Sequence, residues 1–355
     1  MRMRMTELDV GRAVDWGFAA TVGGWLVRPA PPMTDYTRRQ VIDDLHRSAR
    51  AAEPLVREVT GLGPEVSDGS VPEARVIDRP QWIAAAADSM RVMTGGTEKP
   101  VGFLSGRLAG AQTGALLAFV SAGILGQYDP FCADDGHGTG QLLLVYPNVV
   151  AVERQLRVSP ADFRLWVCLH EVTHRVQFSV NPWLADYMST SLAVLTGDSS
   201  PDLTQVVGRL ADYVRGRHAA DVSAGPSGIL GLVRAVQSEE QRTALDQLLT
   251  LGTLLEGHAD HVMDAVGPVA VPSVATIRNR FEERRQRSQP PLQRLLRALM
   301  GLDAKLSQYT RGKAFVDAVV GRVGMDRFNA VWSSPQHLPL PAEIEEPQQW
   351  IDRVL

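Results

Sequence analysis

Cysteine and aromatic residues are scarce in this chain. Of its 355 residues, two are cysteines, Cys132 and Cys168, and 6% are Phe, Trp or Tyr. Two cysteines cannot form the disulfide framework of a small secreted protein, and a zinc site built from cysteines needs closely spaced ones. We therefore expect a cytoplasmic protein with an ordinary apolar core, since 45% of its residues are hydrophobic.

An excess of positive charge is also lacking. The net charge is −4 and the pI is about 6.1, which gives no basic footprint for nucleic acid. Residues 108–126 form an uncharged stretch of 19 residues, near the shortest that crosses a bilayer, but they include Gln112, Thr113 and many glycines and alanines. This composition predicts a closely packed core helix, so we expect neither nucleic acid nor a membrane as a partner.

The spacing of apolar residues predicts a mostly helical chain. Predicted helices span residues 36–60, 79–94, 105–126, 159–178, 183–196, 202–216, 227–235, 238–265, 271–287 and 291–321. The best strand candidate is Gln141–Tyr146, which residues 149–152 could extend. Residues 127–140, rich in Asp and Gly, predict a loop before it.

Three parts of the chain are distinguished by composition. We expect residues 1–34 to form an N-terminal segment and residues 35–332 a single helical domain. The spaced prolines after Ser333 predict an extended C-terminal tail, residues 333–355, that packs on this domain.

The most informative motif is His170-Glu171-Val172-Thr173-His174. On a helix, residues i and i+4 share a face, so both histidines can bind one metal ion. Glu171 lies beside the first histidine and can reach a water molecule on that metal. Two imidazoles, a carboxylate base and an open coordination position are the pattern of zinc hydrolases.

The residues around the motif predict a buried helix. Ser159, Pro160 and Asp162 are typical of a helix start. Residues 163–178 contain no Gly or Pro and are apolar on two faces, and buried imidazoles need partners. This context favours a metal site over two histidines satisfied in the core. Arg175 is a departure, since the position after the second histidine is usually uncharged.

A third protein ligand is needed, and Glu256 is the best candidate. It lies in an apolar helix predicted at about residues 245–266, with Asp260 four residues further on the same face. Asp260 would accept a hydrogen bond from a ligand histidine and so fix its tautomer. Alternatively, both carboxylates lie on a solvated face, or His258 or His261 is the third ligand or a substrate contact.

These motifs resemble the gluzincin arrangement of zinc peptidases, and the whole chain resembles the actinobacterial zincin-like metallopeptidase (type 2) family. The further segments that carry this resemblance are Gly126-Gln127-Tyr128-Asp129-Pro130, Pro182-Trp183-Leu184, Glu256 to Asp264, Gln308-Tyr309 and Trp332. The resemblance implies a mainly α (α+β) zincin-like core with a small β-sheet and many packed helices. It also implies a hydrolase, or an association with the biosynthesis of a deazaflavin cofactor. By the same resemblance, Gln141–Tyr146 would form the edge of the cleft and pair with substrate.

We predict one Zn²⁺ per chain, bound by His170, His174 and Glu256. Glu171 would act as general base on the water. Tyr309 is our candidate for stabilising the oxyanion, because a phenol donates one strong hydrogen bond, and His258 and His261 are the alternatives.

The preferred substrate is a peptide. Two other functions remain open. A zinc amidase or esterase acting on a small metabolite would use the same centre. A non-catalytic protein with a structural zinc would need a fourth protein ligand, whereas a catalytic site keeps that position for water.

Overall fold

Helices make up most of the structure, and its strands form one small sheet. A computed structural model describes residues 10–63, 73–97, 100, 102–134, 138–196, 238–286 and 302–355. In chain order the helices are α1 (Val10–Ala13), α2 (Trp16–Leu26), α3 (Asp35–Thr60), α4 (Arg79–Met93), α5 (Phe103–Ser121), α6 (Tyr146–Leu156), α7 (Pro160–Val180), α8 (Trp183–Thr196), α9 (Glu239–Ala270), α10 (Val274–Gln286), α11 (Leu302–Val323), α12 (Met325–Phe328), α13 (Pro341–Glu345) and α14 (Pro347–Val354). The strands are β1 (Arg75–Ile77), β2 (Gly126–Asp134) and β3 (Gly138–Val145). The predicted mainly α (α+β) fold is confirmed.

Most of the predicted helices in the described residues are confirmed to within a few residues. Close bounds are found for 36–60, 79–94, 159–178 and 183–196. The helix predicted at 238–265 is α9, which continues across a kink at Gly267, where φ is 63°. The predicted helices at 202–216 and 227–235 lie outside the described residues, as does the first part of 291–321.

The sheet differs from the prediction. Its strand order is β1-β3-β2, with β3 parallel to β1 and antiparallel to β2. The predicted strand is therefore central rather than an edge, and the predicted loop 127–140 instead contains most of β2. Two polar side chains of β2 accept hydrogen bonds from α4: Trp82 Nε1 donates to Gln127 Oε1 (2.9 Å) and Ser89 Oγ to Asp129 Oδ1 (2.8 Å). Residues 149–152 lie within α6 and do not extend the strand.

β3 separates two apolar cores. Because side chains alternate along a strand, Leu142 and Leu144 join the larger core, which includes α3, α7 and α9. Leu143 and Val145 join a smaller core formed with α2, α4 and α5. A strand buried on both faces explains the unbroken apolar run that predicted it.

The uncharged stretch beginning at residue 108 lies largely in α5, which packs closely against α2. A Cβ on Gly110 would lie 2.5 Å from the Asp15 carbonyl oxygen, and one on Gly114 would lie 2.4 Å from that of Ala19. Small residues thus allow the two backbones to touch. The helix is packed on one face and is not the core helix predicted, since Leu104 is 81% and Leu108 63% exposed. In the described part of the chain, we find no helix that combines the length and the apolarity needed to span a bilayer.

The C-terminal residues 333–355 are largely helical rather than extended. Pro341 and Pro347 each stand in the first turn of a short helix, α13 and α14, where their missing N–H costs nothing. Trp350 is fully buried and donates from Nε1 to the His337 carbonyl oxygen at 2.8 Å. The prolines that predicted an extended tail are therefore helix starts.

Candidate metal centre

Helix α7 presents both motif histidines on one face. Ser159 caps the helix by accepting from the Asp162 amide, and Pro160 occupies its first turn. The Nε2 atoms of His170 and His174 are 3.2 Å apart, and the two rings are nearly perpendicular. Both imidazole edges therefore point at one position.

Helix α9 brings Glu256 to the same position. Its Oε2 lies 3.3 Å from His170 Nε2 and 3.9 Å from His174 Nε2. The carboxylate is next to a close crossing of α9 with α11, where a Cβ on Gly257 would lie 2.2 Å from the Gly312 carbonyl carbon. The absence of a side chain at Gly257 lets α11 press directly against α9 beside Glu256.

These three donor atoms fit a zinc ion. They lie within 4.8 Å of one another. In a tetrahedral site with zinc–ligand distances near 2.05 Å, donor atoms are spaced by about 3.3 Å. The observed separations of 3.2, 3.3 and 3.9 Å are close to that spacing, and the His₂-carboxylate donor set suits zinc.

The electrostatics of the centre depend on Glu256. Burial lowers the pKa of His170, but the hydrogen bond and negative charge of Glu256, with smaller contributions from Glu171 and Asp260, outweigh burial and raise it to about 9. Burial also lowers the pKa of His174, and the charge of Glu256 only partly opposes this. A metal ion would therefore have to displace the proton of His170, so binding should release it.

Glu171 lies against the edge of the sheet. It is 7% exposed, and an ideal Cβ on Gly126 would approach its Cγ to 2.6 Å and its Cδ to 2.8 Å. Glycine at position 126 therefore makes room for this carboxyl group. Burial raises the pKa of Glu171 to about 7; His170 opposes this shift and Glu256 adds to it.

Comparisons with known proteins show the family of the chain. A sequence model of the family described as zincin-like metallopeptidase matches residues 14–351. The chain belongs to this family. A crystal structure from Chloroflexus aurantiacus, described as "a putative hydrolase with a novel fold", is 30% identical, with a TM-score of 0.63, and the match covers 96% of this chain and 98% of that one. No curated protein matches. Membership of the zincin-like metallopeptidase family supports a zinc-dependent hydrolase in general.

In this zincin-like chain, Gln177 contacts the second motif histidine. Its Oε1 lies 2.9 Å from His174 Nδ1, and its Nε2 lies 3.1 Å from the Leu255 carbonyl oxygen and 2.9 Å from His258 Nδ1. Sequence reasoning missed this residue. The signal was its position three residues after His174, which puts it on the same helix face.

The other predicted site residues lie further from the three donor atoms. Asp260 faces Arg278, at 3.8 Å, and it is Gln177 rather than Asp260 that meets His174 Nδ1. In the described part of the chain, the converging group contains neither His258 nor His261.

The two rival histidines have other partners. His261 Nδ1 lies 2.6 Å from Asp317 Oδ1. His258 is fully buried and stacks on Phe328, and burial lowers its pKa to about 3. Tyr309 belongs to α11, but its side chain is outside the described residues.

Arg175, unexpected after the second histidine, has a buried partner. It is 5% exposed, and its Nη2 and Nε lie 2.5 and 3.1 Å from Oε2 of Glu53 on α3. Arg57 pairs with the other oxygen of Glu53 at 2.8 Å. The charge therefore points away from the metal site and ties α7 to α3.

Proposed function

We propose that this protein is a zinc-dependent peptidase that holds one zinc ion through His170, His174 and Glu256. The observation that carries this proposal is the convergence of three donor atoms within 4.8 Å beside a buried carboxyl group, Glu171. A structural zinc site is normally closed by four protein ligands. In the part of the chain that the structure describes, only three protein ligands converge, which favours a catalytic site.

Glu171 is suited to move the proton in hydrolysis. When bound, zinc lowers the pKa of a water molecule and polarises the scissile carbonyl group. With a pKa of about 7, the Glu171 carboxylate can take a proton from the attacking water at neutral pH and deliver it to the leaving amine. Its burial excludes bulk water from that transfer. Tyr309 as the oxyanion donor stays a prediction.

An extended peptide fits the edge of the sheet. Among the described residues, β2 pairs with β3 on one side and forms the edge, and its Gly126 touches Glu171. A peptide that added to this edge would be held extended beside the general base. We therefore propose that the substrate pairs with β2 rather than with Gln141–Tyr146. The cytoplasmic location and the link to deazaflavin biosynthesis stay predictions.

Replacing Gly126 with alanine is expected to lower the rate of peptide hydrolysis by about 100-fold. The new methyl group would displace the Glu171 carboxyl, and misplacing a reacting group by about 1 Å costs on that order. The measurement is kcat/KM on a peptide selected from a library. Gly252→Ala is the matched control, since its Cβ meets no described atom within 4 Å. Equal kcat/KM values for Gly126→Ala and Gly252→Ala would contradict the close contact between β2 and Glu171.

Glu256→Ala tests the zinc site itself. Purified wild-type protein should carry about one zinc per chain by inductively coupled plasma mass spectrometry, and chelation should abolish peptide hydrolysis. The variant should bind zinc more than about 100-fold more weakly, because loss of even an outer partner of a ligand costs 10–100-fold. Glu240→Ala, at an exposed position of α9, should keep its zinc. Unchanged zinc in Glu256→Ala would reject the proposed ligand set, and absence of zinc from the wild type would reject the function.

A further inference from the structure

Gln177 joins the two helices that supply the candidate zinc ligands. It is fully buried on α7, one turn after His174. From there its amide reaches α9 at two points, the Leu255 carbonyl oxygen and His258 Nδ1. Leu255 directly precedes Glu256. The Gln177 side chain therefore contacts both the His174 ring on α7 and the backbone next to Glu256 on α9.

The carbonyl group of Leu255 determines how the amide is oriented. A backbone carbonyl can only accept a hydrogen bond, so the group of Gln177 that faces it at 3.1 Å must be the NH₂. The amide oxygen then faces His174 Nδ1 at 2.9 Å. Because that oxygen can only accept, Nδ1 of His174 must carry the proton. Its Nε2, which points at His170 and Glu256, is left with a lone pair for a cation.

His258, on α9, is the second acceptor for the NH₂ group of Gln177. The second N–H of Gln177 donates to His258 Nδ1 at 2.9 Å, so the His258 proton lies on Nε2. That atom is buried without a hydrogen-bond partner among the described residues. The ring lies between Phe328 and Trp332, with centroids 5.5 and 5.3 Å away. His258 thus acts as a neutral acceptor that fixes the amide rather than as a ligand.

We propose that Gln177 is a positioning residue. It sets the metal-binding tautomer of His174 and holds the His174 ring in a fixed position relative to Glu256. This inference rests on the proposed zinc site. The amide fills the role predicted for Asp260, since a hydrogen bond to the outer nitrogen of a ligand imidazole orients the ring and makes it a better ligand. Loss of such a partner lowers metal affinity by about 10–100-fold.

The test compares zinc dissociation constants, measured by chelator competition, for Gln177→Met and Gln177→Glu. Methionine has similar length but accepts no strong hydrogen bond, so affinity should fall by about 10–100-fold. Glutamate keeps an acceptor toward Nδ1 and, when protonated, a donor toward Leu255 or His258, so affinity should recover to within about threefold of wild type. The control is Thr173→Val, which removes the buried hydrogen bond from Thr173 Oγ1 to the Leu169 carbonyl oxygen on the same helix and should leave zinc affinity unchanged.

A second measurement compares the wild type with Gln177→Met by NMR. In the zinc-loaded protein, the Nδ1 proton of His174 should give a slowly exchanging low-field NMR signal, which disappears in Gln177→Met. If Gln177→Met unfolds at lower urea yet binds zinc like the wild type, Gln177 is only structural and the inference fails. It also fails if Gln177→Glu loses as much affinity as Gln177→Met, or if the wild-type signal is absent. Absence of zinc binding by the wild type would instead reject the proposed function.

Discussion

Replacing Glu171 with glutamine is expected to abolish hydrolysis while leaving zinc content and fold unchanged. Glutamine has the same shape as glutamate but cannot take the proton of the attacking water. Loss of a general base costs about 10²–10⁴-fold in rate. The substitution leaves the three proposed zinc ligands unchanged. Glu171 is next to His170 in the sequence, but it is not one of the converging donor groups.

The fold should tolerate this change well. Glu171 is 7% exposed, and burial disfavours its charged form, as the raised pKa of about 7 shows. A neutral amide therefore removes an unfavourable charge rather than a needed ion pair. The measurements are kcat on the selected peptide, zinc per chain, and the urea midpoint. Glu240→Gln, at an exposed position of α9, is the control. Full activity of Glu171→Gln would rule out its role as general base.

The sequence predicted the parts of the site that depend on local spacing. Helix periodicity and the cap at Ser159 defined α7, and the i, i+4 rule put His170 and His174 on one face. Glu256 was selected because a carboxylate in an apolar helix needs a reason to be there. The structure places its oxygen 3.3 Å from His170 Nε2.

What could not be predicted depends on contacts between distant elements. Asp260 lies four residues after Glu256 on the same face of the predicted helix, and this spacing predicts a contact with a ligand histidine. In the structure, Asp260 instead lies beside Arg278 of α10. Gln177 could be recognised only once α9 brought Leu255 and His258 next to it. The strand β2 could not be recognised in the sequence, because two of its polar side chains pair with α4 and such tertiary pairing overrides composition.

Arg175 is a further residue whose contact with a distant element could not be predicted from the sequence. In the sequence, Arg175 counts against the zinc motif, because the position after the second histidine is usually uncharged. In the structure it is paired with Glu53, which is 2% exposed and also accepts from Arg57. The charge is therefore compatible with the motif. The pair joins α7 to α3, as does the ion pair of Arg164 with Asp44.

Glu53→Leu is expected to destabilise the fold by about 3–5 kcal/mol, the cost of removing one side of a buried ion pair. Arg175, which is 5% exposed, would lose both of its bonds to Glu53. Arg57 would lose its bond to Glu53 but keep one to the Leu62 carbonyl oxygen at 3.0 Å. The measurement is the free energy of unfolding in urea, made on zinc-free protein so that metal binding does not add to it.

The double variant Glu53→Leu, Arg175→Leu separates the charge from the packing. Replacing both partners of a buried ion pair with apolar residues is often neutral or stabilising, so the double variant should recover most of the lost free energy. A loss below about 1 kcal/mol in the single variant would mean that water reaches Arg175. A double variant as unstable as the single one would mean that the Glu53 side chain matters for its shape. Recovery would show that the loss in the single variant comes from the desolvated charge of Arg175 and not from weaker packing of α7 on α3.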